Sequence, residues 1–195
     1  MQPQTFVFFG IAGSGKGTQV KLLTDYLKSN GGGDTVYAGT GEGFRQMLAT
    51  ASFTSEIVKE KMSRGEYIDD FLTNALFVGI LMSELSPEKN LVADGYPRTL
   101  PQAKEFADMM NFFKRDHINV IYIEVGKEES IKRNMLRGRQ DDTPEGLEKR
   151  FDEYMTKVIP AMNYFNDKPG YKIIKINGEQ GIEMVHGDII KALNF

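Results

Sequence analysis

The run Gly10-Ile11-Ala12-Gly13-Ser14-Gly15-Lys16-Gly17-Thr18 constrains this chain more than any other stretch. An apolar run, Thr5-Phe6-Val7-Phe8-Phe9, precedes it, too short and too uncharged at its start to read as a signal peptide. Gln19 to Ser29 follow, with Val20, Leu23 and Leu27 at helical spacing. Strand, glycine loop and helix, in that order, let successive backbone N–H groups turn inward on an anion. Gly10, Gly13 and Gly15 permit the curl. The helix that starts near Lys16 adds its positive dipole end, and Lys16 adds a full charge. Gly13, Ser14, Gly15, Lys16, Gly17 and Thr18 are therefore candidate holders of a polyphosphate. Loops of this kind usually carry Ser or Thr directly after the lysine, as a magnesium ligand. Here Gly17 takes that position and Thr18 comes one later, so a metal ion would sit on phosphates and waters. Mg²⁺ keeps its waters readily, which suits such a site.

Five apolar runs, Phe6–Phe9, Thr35–Ala38, Asn90–Ala93, Asn119–Val125 and Tyr171–Ile176, read as strands alternating with helical patterns. That alternation predicts an α/β fold with a parallel sheet. A length of 195 residues suits one domain with small insertions, and 41% hydrophobic residues supply a real core. A net charge of −3 gives no general attraction to nucleic acid or to an anionic membrane. The absence of cysteine excludes disulfides, thiol nucleophiles and thiolate zinc sites. No apolar run approaches the ~20 residues of a membrane-spanning helix. The expected compartment is the cytoplasm.

Three further stretches carry chemistry. Thr40-Gly41-Glu42-Gly43-Phe44-Arg45 starts a helix with a capping hydroxyl, an acid at the dipole's positive end and a forward cation. On residue chemistry alone this is an ordinary helix start. Asp94 follows a buried strand, at the end where open α/β sheets bind ligands. Gly95 beside it allows close backbone approach, and Arg98 carries a planar fork that matches phosphate oxygens. Arg133, Arg137, Arg139 and Arg150 cluster around Asp141 and Asp142. They read either as a salt-bridged helix face or as a clamp on a transferring phosphoryl group. Thr143-Pro144 opens a long helix to about Phe165, and His117 and His186 stand alone as structural or surface residues.

In order along the chain, Gly13–Thr18, Thr40-Gly41-Glu42-x-x-Arg45, Gly65-x-Tyr67-Ile68-x-Asp70, Asp94-Gly95-Tyr96-Pro97-Arg98-x-x-x-Gln102, Arg139-x-Asp141-Asp142 and Lys149-Arg150 resemble the short-lid adenylate kinases, members of the nucleoside monophosphate kinase family. The resemblance implies a P-loop NTPase fold, with a five-stranded parallel sheet flanked by helices. Its core would span 1–39, 70–136 and 145–195, with an AMP-binding insertion at 40–69 and a short lid at 137–144. The implied reaction is reversible transfer of the ATP γ-phosphoryl group to AMP, giving two ADP, in nucleotide homeostasis. Mg²⁺ would accompany ATP, with no structural zinc. The implied partners are ATP, AMP and ADP, with no nucleic acid and no membrane, and the protein is expected to be a monomer.

By the same resemblance, Gly13–Thr18, Arg133, Arg137 and Gln180 would bind ATP. Thr40, Arg45, Glu66, Tyr67, Ile68, Gly95, Tyr96, Pro97, Arg98, Gln102, Arg139 and Arg150 would bind AMP. Lys16, Arg98, Arg133, Arg139 and Arg150 would carry catalysis, and Asp94 and Glu42 would meet the metal through water. The chain has Ala12 where the family usually has proline, and Glu42 where it usually has aspartate. A UMP/CMP kinase shares most of this machinery but tends to differ at Thr40, Thr99 and Gln102. A P-loop GTPase would need an Asn-Lys-x-Asp motif, which the sequence lacks.

Overall fold

The computed structural model describes residues 2–138 and 143–195. The strands are β1 (Thr5–Phe9), β2 (Thr35–Gly39), β3 (Asn90–Asp94), β4 (Ile118–Glu124) and β5 (Tyr171–Asn177). They form one parallel sheet in the order β2-β3-β1-β4-β5. β1 is buried from end to end, because alternate side chains feed cores on opposite faces. Val7 and Phe9 join Phe77, Tyr96, Phe106 and Phe165 on one face. Phe6 and Phe8 join Leu23, Leu27, Ile121 and Ile189 on the other.

The helices are α1 (Lys16–Ser29), α2 (Thr40–Met47), α3 (Phe53–Ser63), α4 (Asp70–Glu84), α5 (Leu100–Phe112), α6 (Lys127–Arg137), α7 (Pro144–Glu153), α8 (Ile159–Asn163) and α9 (Ile182–Leu193). Strand order reverses beside β1, so the loops after β1 and β3 diverge and open a crevice at the strands' carboxyl ends. Helices α2 and α3 share a small core of their own, built on Phe44, Val58 and Ile68.

Two expectations change. The long helix expected from Thr143 to about Phe165 is divided by a π-helical turn, Tyr154–Val158, and ends at Asn163. Pro160 has no N–H to continue the ladder there. Thr40 does not cap α2, since Gly39 occupies that position without a side-chain cap. The Thr40 hydroxyl donates instead to the Gly95 carbonyl across the crevice, at 2.8 Å. That contact ties the loop after β3 to the start of α2.

Candidate functional site

The loop between β1 and α1 is held from below by α6. Ser130 Oγ donates to the Ala12 carbonyl at 2.8 Å, and Asn134 Nδ2 donates to the Ser130 carbonyl at 2.8 Å. Gly13 sits against this pair with φ +78°, where a Cβ would stand 2.6 Å from Asn134 Nδ2 and 2.8 Å from Ser130 O. Any larger residue would lift the loop off its support. Ser130 and Asn134 are 3% and 0% exposed, and nothing in their local sequence marks them as part of the site. The Ser14 hydroxyl is buried without a partner. Left so, it would cost about 1–3 kcal/mol, a deficit that a phosphate oxygen would relieve.

Lys16 Nζ turns back on the loop, donating to the Gly10 and Ile11 carbonyls, the latter at 3.0 Å. Desolvation is the main force on its ammonium and pushes the pKa down to about 8, against a smaller upward pull from Asp94. The folded value lies below the unfolded one. Stability therefore rises with pH between about 8 and 10.5, as the buried charge is neutralised. A bound polyphosphate favours the charged form and restores the pKa. Nucleotide binding should then take up more protons at pH 8 than at pH 6.5. Calorimetry in two buffers of different ionisation enthalpy reads this directly, and equal uptake at both pH values would contradict it.

Facing the loop is a cleft of about 870 Å³. Its walls carry the arginines from separate elements: Arg45 from α2, Arg98 after β3, Arg133 and Arg137 from α6, and Arg150 from α7. Arg133 is fixed by Glu129 Oε1 at 2.7 Å and by the Gly178 carbonyl at 2.9 Å. Arg137 donates to Asn134 Oδ1 at 2.5 Å. Arg98 donates from Nε to the Gly95 carbonyl at 2.7 Å, and its guanidinium lies 4.9 Å from the centre of the Tyr67 ring. Gly95 has φ +77°, and a Cβ there would strike Arg98 Nη2 at 2.8 Å.

Glu42, Glu66, Ile68, Asp94 and Pro97 line the same cleft. Glu66 also accepts from Lys149 at 3.1 Å, joining the α3–α4 connection to α7. Gln102, on the first turn of α5, is 2% exposed. Its Oε1 accepts from the Arg98 N–H at 2.7 Å, and its Nε2 donates to Asp70 Oδ1 at 2.9 Å. Asp70 also accepts from the hydroxyl of Thr99, the residue that caps α5.

Three predicted site residues stand apart. The Tyr96 side chain is buried in the core, stacked 4.2 Å from Phe77 with its hydroxyl donating to Asn74, and Tyr96 lies outside the cleft lining. The Gln180 side chain lies outside the cleft lining, and its Nε2 donates to the Asn177 carbonyl and to Asp188. Arg139 lies outside the described residues, as does half of the expected lid, residues 139–142 of 137–144.

A glycine-rich, lysine-bearing loop at the switch point of a doubly wound parallel sheet, opposite arginines drawn from four other elements, defines a P-loop phosphotransferase. A sequence model of the family described as adenylate kinase matches residues 8–169. The chain is 33% identical over 192 residues to the adenylate kinase of Parabacteroides distasonis, covering 96% of each protein. It is 32% identical over 183 residues to that of Prochlorococcus marinus, covering 94% of each. Against that of Bacteroides fragilis it is 30% identical over 192 residues, covering 96% of this chain and 97% of the relative. The chain belongs to the adenylate kinase family, nucleoside monophosphate kinases whose reaction is the reversible conversion of ATP and AMP to two ADP.

Proposed function

We propose that this chain transfers the γ-phosphoryl group of ATP to AMP, with donor and acceptor phosphates meeting between Lys16 and the arginines of one cleft. The observation that carries the reading is their convergence: the β1–α1 loop, Asp94, Arg45, Arg98, Arg133, Arg137 and Arg150 share a single bay. An AMP phosphate oxygen is already a competent nucleophile, so no side-chain base is required. Catalysis is positioning plus balance of the charge spread over the moving phosphoryl group.

In this reading the loop N–H groups and Lys16 hold the ATP phosphates, with Arg133, Arg137 and the backbone at Gln180 beside the donor nucleotide. Arg45 and Arg98 hold the AMP phosphate, while Arg139 and Arg150 follow the transferring group. Thr40, the backbone of Glu66 to Ile68, the Gly95–Pro97 turn and Gln102 surround the acceptor base. The insertion 40–69, which has its own small core, and the lid 137–144 close over the substrates to exclude water. Nucleotides are the substrates of a monomer acting in the cytoplasm. Among the described residues no helix is long and apolar enough to cross a membrane.

Mg²⁺ would arrive with ATP and neutralise charge on its outer phosphates. Asp94 and Glu42 face the same cleft and fit a hydrated ion met through water. No group of three His, Asp or Glu among the described residues could hold a bare metal. Chelator should accordingly leave the melting temperature of the nucleotide-free protein unchanged while abolishing turnover, and a large fall in melting temperature would show a structural metal. The function itself is tested by a coupled assay crossing ATP and GTP with AMP, CMP, UMP and GMP. The expected result is fastest turnover with AMP; no turnover with AMP would overturn the reading.

A further inference from the structure

Asp94 ends β3 directly opposite Gly39, the last residue of β2. Tyr37 stands two residues earlier on β2, on the same face as Gly39. Its side chain lies along the strand, and its hydroxyl donates to Asp94 Oδ2 at 3.2 Å. The ring fits there because position 39 has no side chain. A Cβ on Gly39 would stand 2.4 Å from both Tyr37 Cζ and its hydroxyl oxygen. The Gly39 backbone is extended, with φ −99°, so smallness and not conformational freedom is what the site uses. The same ring packs against the core beneath α1 and α9, which leaves the hydroxyl as its one polar tie to the cleft.

The geometry points to Tyr37 as a positioning residue for Asp94, with Gly39 as the gap that admits its ring. This rests on the assignment of Asp94 to the waters of the magnesium that travels with ATP. A carboxylate at a strand end turns about two torsions, and one donor on Oδ2 holds it in a single orientation. The remaining lone pairs are then kept toward the cleft beside Lys16. Gly39 belongs to the device although it touches neither metal nor nucleotide.

The test titrates magnesium into the complex of the whole protein with ATP and reads the apparent Kd for the metal. ATP affinity without metal is measured alongside. Tyr37→Phe keeps the ring and its packing, and is expected to raise the metal Kd about three- to tenfold, the scale of one hydrogen bond, with metal-free ATP affinity unchanged. Gly39→Ala keeps the hydroxyl but displaces the ring and should give the same shift. The two changes combined should shift the Kd no further than either alone, since both remove the same bond. Asp94→Asn tests the underlying assignment. If it raises the metal Kd and Tyr37→Phe does not, the positioning role is overturned and the role of Asp94 stands. If neither moves the Kd, the assignment of Asp94 fails and the proposal with it. Additive shifts from Tyr37→Phe and Gly39→Ala, or an equal loss of metal-free affinity, would reduce Tyr37 to a packing residue and overturn the proposal as well.

Discussion

Replacing Lys16 by methionine is expected to lower kcat by about 10² or more, the scale for losing one preorganised charge stabiliser. Methionine keeps the unbranched stem and removes the ammonium. In the free protein that ammonium is spent on the Gly10 and Ile11 carbonyls and is desolvated enough to bring its pKa down to about 8. Removing it therefore relieves a burial cost that is present at pH 7, so the melting temperature of the free protein should not fall. Loss of turnover with retained stability would separate a functional lysine from a structural one. Near-normal turnover in Lys16→Met would remove the loop from the mechanism.

The second large effect concerns the acceptor base. Gln102 is buried and already gives one lone pair to the Arg98 N–H and one N–H to Asp70. One lone pair and one N–H remain, enough to donate to and accept from the Watson–Crick edge of adenine. Thr40 has committed its proton to the Gly95 carbonyl, so toward a bound base it would have only acceptor capacity to offer. A pyrimidine reaches less deeply and leaves such groups unpaired, at about 1–3 kcal/mol each. The unaltered protein should then prefer AMP to CMP and UMP by roughly 10²-fold or more in kcat/KM. Gln102→Ala should narrow that gap chiefly by harming AMP. It should also slow every acceptor somewhat, because it withdraws the partner of the Arg98 N–H. Comparable rates with CMP in the unaltered protein would defeat this acceptor site.

Alternation of short apolar runs with helical patterns places each of the expected strands within one residue of its observed ends, as at Asn119–Val125 against β4, Ile118–Glu124. The β1–α1 loop is equally legible, since its glycines, lysine and following helix are neighbours in sequence. Such features depend on periodicity and backbone geometry, which act over a few residues. The arginine cluster is different. Residue chemistry left it between a salt-bridged face and a phosphoryl clamp, and Arg133 shows both aspects, paired with Glu129 while lining the cleft.

What the sequence by itself determined was the alternating α/β plan, the glycine-rich loop with its lysine between β1 and α1, and the lack of any cysteine for thiol chemistry. What only the tertiary structure decided was which side chains meet. Sheet order brings β2 beside β3, so Tyr37 reaches Asp94, 57 residues away in sequence. The packing of α6 under the first loop recruits Ser130 and Asn134, which carry no local signal. Tyr96 goes to the core because Phe77 stacks on its ring there and Phe106 packs against it at a tilt. Thr40 abandons the capping position because the Gly95 carbonyl lies within hydrogen-bond reach across the cleft. Each of these outcomes is a competition between long-range partners, and periodicity carries no information about which partner wins.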